Sequence, residues 1–152
     1  MVKIKTARLV DYSKLKFKVS KTMRYDDVGD YFDSTIVSYD MENAIFNNGI
    51  MLHEFIEYTL IRSAGISVSR IDAFDTSDKA SEKYPEQYKL YCKYHRMANN
   101  IERHFIENMG VDWKEYQKAV YDVKVKLKPS KKQGSKPRLN RGRKQKENWK
   151  VR

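Results

Sequence analysis

One helix-length apolar segment constrains this chain more than any other feature. Residues 49–64 are apolar almost all round a helix, yet they contain His53, Glu54 and Glu57. Such a helix is expected to be buried on most faces and to end at Gly65, a residue that suits the position after a helix C-terminus. Buried ionisable groups are costly unless they are compensated. The fold must therefore enclose a polar cluster.

The patterns on either side of this segment predict an α+β fold, with a small N-terminal antiparallel sheet before the helices. Residues 2–6 and 14–19 alternate apolar and polar side chains, and residues 34–39 are rich in β-branched side chains. The polar residues 24–33 are interpreted as the connection between the second and third strands. We therefore expect three short strands before the buried helix.

Two more helices are predicted after the buried one. Pro85 suits a first helical turn, and an apolar 3/4 spacing continues from it to Gly110, which gives a long second helix of about 24 residues. Asp112, with Glu115 three positions later, is typical of a capped helix N-terminus. A shorter third helix should start there and fray near Val123.

Positive charge is concentrated at the C-terminus. Residues 1–122 contain 18 Lys/Arg and 19 Asp/Glu, whereas residues 123–152 contain 13 Lys/Arg and one Glu. Beyond residue 128 the chain is also rich in Pro, Gly and Ser and poor in apolar residues, so it cannot repay the entropy of ordering. We expect one globular domain over residues 1–128 and a disordered basic tail over residues 129–152.

Cysteine content and hydropathy indicate the compartment. Cys92 is the single cysteine in the sequence, so no intramolecular disulfide can form. The N-terminus lacks a charged-then-apolar leader, and the apolar segment is too short and too charged to cross a bilayer. We expect a soluble, cytoplasmic protein without a membrane span.

The charged residues of the apolar helix suggest a metal site. His53 and Glu57 are one turn apart and point the same way. His95 lies on the apolar stripe of the second helix and is the best third ligand, which completes a His₂Glu set known for catalytic zinc. Glu102, further along that stripe, is an alternative ligand or a partner that orients His95. The expected cofactor is zinc or another divalent metal.

Residues 34–64, a strand followed by an apolar helix with His-Glu-x-x-Glu, resemble the core of zincin-like metallopeptidases. In that superfamily, two histidines of His-Glu-x-x-His bind zinc and the glutamate acts as general base. The resemblance implies a peptidase-like, metal-dependent hydrolase in which His53 is a ligand and Glu54 the catalytic base. Glu57 stands where the family has its second histidine. Together with residues 95–102, the motif also resembles small phage-encoded proteins, which implies a phage-infected host cell.

Two structural interpretations compete with the metal site. The cluster is also explained by a buried salt-bridge network that recruits Arg62, Arg70 or Arg96, or by a helix that is less buried than its composition indicates. His95 by itself fits a hydrogen-bonded core histidine better than a metal ligand.

A second group of acids lies in residues 71–78. Asp72, Asp75 and Asp78 offer oxygen ligands, but the segment lacks the glycine and the final glutamate of an EF-hand loop. We interpret it as a helix-capping loop.

The basic tail predicts contact with DNA or RNA, because each cation that meets a phosphate releases counterions, and Trp149 offers a ring for base stacking. An acidic protein, a membrane surface or no specific partner are the alternatives. The competing function is accordingly a non-enzymatic nucleic-acid-associated protein whose His/Glu cluster is structural. The contact residues are predicted to be Lys131, Lys132, Lys136, Arg138, Arg141, Arg143, Lys144, Lys146, Trp149 and Lys150.

Deletion of residues 129–152 tests whether the basic tail, and not residues 1–128, binds nucleic acid. The deletion takes away 10 Lys/Arg and one Glu, so it should abolish most binding to DNA and RNA while changing the stability of residues 1–128 little. Titrations of both forms against a duplex and a single strand at two salt concentrations, with thermal unfolding, measure this. Equal affinity after truncation would move the nucleic-acid site to the body, and a large loss of melting temperature would show that the tail is folded.

Overall fold

A computed structural model of the chain describes residues 6–128. The strand predicted over residues 2–6 lies outside the described residues except for Thr6, which is not in a strand. The tail predicted over residues 129–152, with all of its nucleic-acid contact residues from Lys131 to Lys150, also lies outside them. These assignments stay predictions.

The described residues form a small sheet followed by helices, which confirms the α+β class. The strands are β1 (Lys16–Ser20), β2 (Gly29–Phe32) and β3 (Thr35–Tyr39), and a single 3-10 turn, Tyr12–Lys14, precedes them. The helices are α1 (Ala44–Ser63), α2 (Val68–Thr76), α3 (Asp78–Lys83), α4 (Pro85–Asn108) and α5 (Trp113–Leu127).

The sheet is mixed, with strand order β1-β3-β2. β3 pairs with β1 in parallel and with β2 in antiparallel, so the predicted all-antiparallel pairing is wrong for β1. The prediction failed because residues 24–33 are not only a connection. They contain β2, which pairs with β3 on the side opposite to β1. Asp33 and Ser34 both have positive φ, 46° and 58°, which is the geometry of a two-residue hairpin turn.

One face of the sheet packs against α1. Tyr31 of β2 lies opposite Ile36 of β3, and both belong to the buried core beneath the helix. Gly29 is on the same face as Tyr31, because side chains alternate along a strand. A Cβ at Gly29 would collide with the side chain of Glu54, so the absence of a side chain there lets β2 approach α1 closely.

The helices α1 and α4 form the main helical contact of the fold. Gly49 permits it, since a Cβ at that position would lie only 2.8 Å from Ile106 Cδ1. The predicted ends are confirmed: α1 is followed by Gly65 at φ +77°, and α4 begins at Pro85 and is 24 residues long. Although α1 is 20 residues long, no helix among residues 6–128 could cross a membrane.

The third predicted helix is α5. The Asp112 side chain accepts a hydrogen bond from the amide of Glu115, which confirms the predicted cap. The helix continues past Val123 to Leu127. Its first turns pack Trp113 and Tyr116 into a second buried cluster with Ile106.

The helices α2 and α3 were not predicted, and the interpretation of residues 71–78 as a helix-capping loop is wrong. Asp72 and Asp75 lie within α2, and Asp78 begins α3. The first two aspartates serve different partners: Asp72 pairs with Arg24 at 3.2 Å, and buried Asp75 accepts a hydrogen bond from the Tyr91 hydroxyl at 2.7 Å.

Two isoleucines of α4, one buried and one exposed, test which face of this helix packs into the core. Ile106 is 0% exposed and Ile101 is 36% exposed. Ile106→Ala should lower the free energy of unfolding by about 2–5 kcal/mol, because it leaves a cavity in the second cluster. The matched Ile101→Ala should cost less than about 1 kcal/mol. Chemical denaturation of both variants measures this, and equal losses would show that α4 is oriented differently.

Candidate metal centre

Five ionisable side chains from α1 and α4 meet in the interior of the protein. His95 is the most accessible of them, with its side chain 12% exposed, and the other four are buried. The structure thus brings together every residue that the sequence singled out for the metal site. The members are His53, Glu54, Glu57, His95 and Glu102.

Three of these side chains converge on one point. His53 Nε2 lies 3.4 Å from Glu57 Oε2, and His95 Nδ1 lies 2.7 Å from the same oxygen. The three potential ligand atoms all lie within 4.8 Å of one another. Among residues 6–128 this is the one group of histidine, cysteine and acidic side chains that could hold a metal ion.

The separations suit a shared ion. Two ligands that each lie about 2.0–2.1 Å from a tetrahedral ion are about 3.3 Å apart. The distance between His53 and Glu57 is already close to that value, at 3.4 Å. The contact between His95 and Glu57, at 2.7 Å, is a hydrogen-bond distance and would lengthen slightly on metal binding. Two imidazoles and one carboxylate form a donor set that binds zinc in other proteins.

The other ring nitrogen of His53 faces a carboxylate. Glu102 Oε1 lies 3.2 Å from His53 Nδ1, and the Tyr116 hydroxyl donates a hydrogen bond to Glu102 Oε2 at 3.1 Å. A carboxylate at one ring nitrogen favours a proton there and leaves the other nitrogen as the ligand. The sequence predicted that Glu102 is an alternative ligand or orients His95, but in the structure it lies against His53.

Glu57 has a second partner on the sheet. The Tyr31 hydroxyl donates a hydrogen bond to Glu57 Oε1 at 2.7 Å, while Oε2 faces the histidines. One oxygen is therefore fixed by β2 and the other is directed to the metal position. Glu57 is 0% exposed, so its carboxylate lies in the interior, and His95 is the most exposed member of the cluster.

Sequence reasoning missed the two tyrosines that hold the acids. Tyr31 lies in the segment interpreted as a connection, and nothing in the local pattern indicated its role. Tyr116 lies in the segment predicted as the third helix, and no role at the metal site was predicted for it. A buried tyrosine usually needs a hydrogen-bond partner for its hydroxyl, and that requirement was the available signal for Tyr116.

Glu54 lies beside the ligand nitrogen. Its Oε1 is 4.0 Å from His53 Nε2, and its side chain packs against the backbone of Gly29. Two of the arginines considered as partners of the cluster donate hydrogen bonds to other groups. Arg62 donates to the carbonyl of Ile66 and Arg70 donates to the side chain of Gln87. The third, Arg96, is exposed.

The electrostatics of the cluster are dominated by its acids. Burial by itself lowers the pKa of the His53 imidazole, but the Glu102 carboxylate, together with Glu57 and Glu54, raises that pKa well above its usual range. Burial and the adjacent Glu102 also raise the pKa of the Tyr116 hydroxyl, which keeps it a hydrogen-bond donor. Since a metal needs the neutral imidazole, binding at His53 would release a proton.

Comparisons with known proteins found no relative of this chain. No family model matches the chain, and neither the curated proteins nor the solved structures give a match.

The role of Glu102 is tested by Glu102→Gln, with Glu107→Gln as the matched control on the exposed face of α4. Loss of the carboxylate that orients His53 should weaken zinc affinity by about 10–100-fold. The control removes an acid that pairs with Arg103 at the surface and should leave affinity unchanged. Competition titrations against a chromogenic chelator measure both. Equal affinities of the two variants would show that Glu102 does not orient a ligand.

Proposed function

We propose that this protein binds one divalent metal ion, zinc by its donor set, through His53, Glu57 and His95, and that it is a zincin-like hydrolase acting on peptide bonds. The observation that carries the proposal is the position of Glu54, a buried carboxylate 4.0 Å from the ligand nitrogen of His53. It is too far from that nitrogen to share its proton directly and close enough to serve a water molecule beside the ion.

The charge of the cluster supports a bound cation. The raised pKa of His53 means that its imidazole carries a proton when no ion is bound, so Glu54, Glu57 and Glu102 then leave a formal charge of −2. With both imidazoles neutral, as a metal ion requires, the three acids carry a formal charge of −3. A divalent ion reduces this to −1, and burial of uncompensated charge is costly. The ion would therefore stabilise the fold as well as the site.

The residues can be assigned roles in hydrolysis. A bound zinc ion supplies Lewis-acid chemistry, which polarises a carbonyl and acidifies a neighbouring water. Glu54 accepts the proton of the attacking water and delivers it to the leaving amine as the peptide bond breaks. Glu102 and Tyr31 hold His53 and Glu57 in place during both steps, because each contacts its partner on the side away from the metal position.

A second candidate function has its own supporting observation. Every member of the cluster is buried or nearly so, with His95 at 12% the most exposed, and closed sites of this kind are typical of structural metals. In that case the protein is a non-enzymatic nucleic-acid-associated protein, whose basic tail supplies the binding and whose ion stabilises the contact between α1 and α4.

Three variants test the proposal. Protein purified without chelator or nickel should retain about one zinc per chain, since three such ligands usually hold it. His53→Ala should lose the metal, and the matched His104→Ala, at an exposed position of α4, should keep it. Glu54→Gln should keep the metal and lose hydrolysis. Elemental analysis gives the metal content, and mass spectrometry of a pooled peptide library gives cleavage.

The outcomes separate the two functions. Metal retained by wild type with no cleaved peptides supports the structural site and rejects the hydrolase. Loss of metal from Glu54→Gln would mean that Glu54 is a ligand, which contradicts its role as base. Metal-free wild-type protein of unchanged stability would contradict both the catalytic and the structural metal site.

A further inference from the structure

The helix α5 has two faces of opposite character. Trp113 and Tyr116 are buried, and the hydroxyl of Tyr116 reaches Glu102 beside the metal centre. The opposite face is exposed along the whole helix. Four exposed residues of the helix recur at intervals of four, three and four positions, and the C-cap residue follows three positions later, so they lie along one side as a ridge. This α5 ridge consists of Lys114, Lys118, Tyr121, Val125 and Lys128. The acids Glu115 and Asp122 are also exposed on this helix.

An aromatic ring stands at the centre of the ridge. The side chain of Tyr121 is 56% exposed, whereas Tyr116, five positions earlier on the same helix, is buried. Core packing therefore does not account for Tyr121. Its ring is presented to solvent with Lys118 on one side and Lys128 beyond it on the other.

Helix stability does not explain Lys114, and it explains Lys118 only through Glu115 and Asp122, three positions before it and four after it. Lys114 is the second residue of α5, where the helix dipole disfavours a cation. Lys118 follows one turn later, and like charges at that spacing destabilise a helix. Although Glu115 and Asp122 are nearby in sequence, neither lysine forms an ion pair within the described part of the chain. Lys124, in contrast, pairs with Asp27 at 3.1 Å.

The ridge leads directly into the basic tail. Lys128 is the last described residue, and residues 129–152 add 10 Lys/Arg against one Glu. Residues 114–152 thus contain 15 Lys/Arg against three acids. A polyanion bound by the tail would be held next to the ridge.

We propose that the α5 ridge is a contact surface for single-stranded nucleic acid. Lys114, Lys118 and Lys128 meet phosphates, and an unpaired base stacks on the ring of Tyr121. The inference rests on the polyanion contact proposed for the tail and is independent of the metal centre. It places part of the binding surface on the folded body, where sequence reasoning placed none.

The exposed ring selects this occupant over others. A single strand offers the faces of its bases for stacking, whereas a duplex keeps them within its own stack. An anionic membrane or an acidic protein would also use the lysines and would bury the ring, but neither would make the affinity for a single strand depend on Tyr121. The contribution of Tyr121 is therefore the distinguishing property.

The experiment uses the full-length protein and four variants. Lys114→Ala/Lys118→Ala removes two ridge charges, and Lys79→Ala/Lys89→Ala is the matched control, because it removes two exposed lysines elsewhere. Tyr121→Ala removes the ring and Tyr121→Phe retains it. Each protein is titrated into a labelled single strand of mixed sequence, the corresponding duplex and vesicles that contain phosphatidylserine. Circular dichroism verifies the helix content.

The expected results are specific to each change. The ridge double variant should bind the single strand about tenfold more weakly, and its salt slope should fall by about 1.4, or 0.7 for each lost phosphate contact. Tyr121→Ala should also lose about tenfold on the single strand and little on the duplex or vesicles. Tyr121→Phe and the control pair should stay close to wild type.

Other outcomes overturn the inference. Wild-type affinity in both ridge variants would confine binding to the tail. Equal losses in the control pair would show a general charge effect, and equal losses of Tyr121→Ala on duplex or vesicles would reject base stacking. Failure of the tail proposal has a different result, since deletion of residues 129–152 would then leave single-strand affinity intact while the ridge variants still weaken it.

Discussion

The arrangement of the whole domain depends on one buried carboxylate, that of Glu57. It is 0% exposed, accepts a hydrogen bond from Tyr31 of β2, and contacts both His53 of its own helix and His95 of α4. The sheet and the two longest helices therefore meet at a single charged group. Because such a charge is tolerated only with good partners, the strand pairing, the approach of β2 to α1 and the packing of α4 are all tied to the chemistry of this site.

Much of the helical structure could be predicted because its signals are local. The cap at Asp112, the proline at position 85 and the glycine at position 65 act within one turn of each helix end, and the one-turn spacing of His53 and Glu57 fixes their common direction. The strand β2 could not be predicted in the same way. Gly29 and Asp30 are disfavoured in strands, and its hairpin turn is Asp33-Ser34 instead of the more recognisable Asn-Gly. Because β2 was not predicted, the contact of Tyr31 with Glu57 was not predicted either.

The partner of Glu102 could not be predicted because it depends on tertiary structure. The apolar stripe of α4 indicates that His95 and Glu102 both face inwards. Which of them contacts His53 and which contacts Glu57 depends on how α1 and α4 cross. That crossing requires the close approach of α4 to Gly49, which no periodicity reveals. The same limit applies to α5. Its periodicity indicates one buried face, and only the assembled fold shows that this face reaches the metal centre while the opposite one is a basic, aromatic ridge.

The central claim is that His53, Glu57 and His95 hold one ion between α1 and α4. Anomalous diffraction at the zinc absorption edge, from crystals of protein purified without added metal, tests it most directly. The account predicts a single peak about 2.0–2.2 Å from His53 Nε2, Glu57 Oε2 and His95 Nδ1. A peak at other residues, or a metal-free cluster in which His95 keeps its 2.7 Å contact with Glu57, would contradict it.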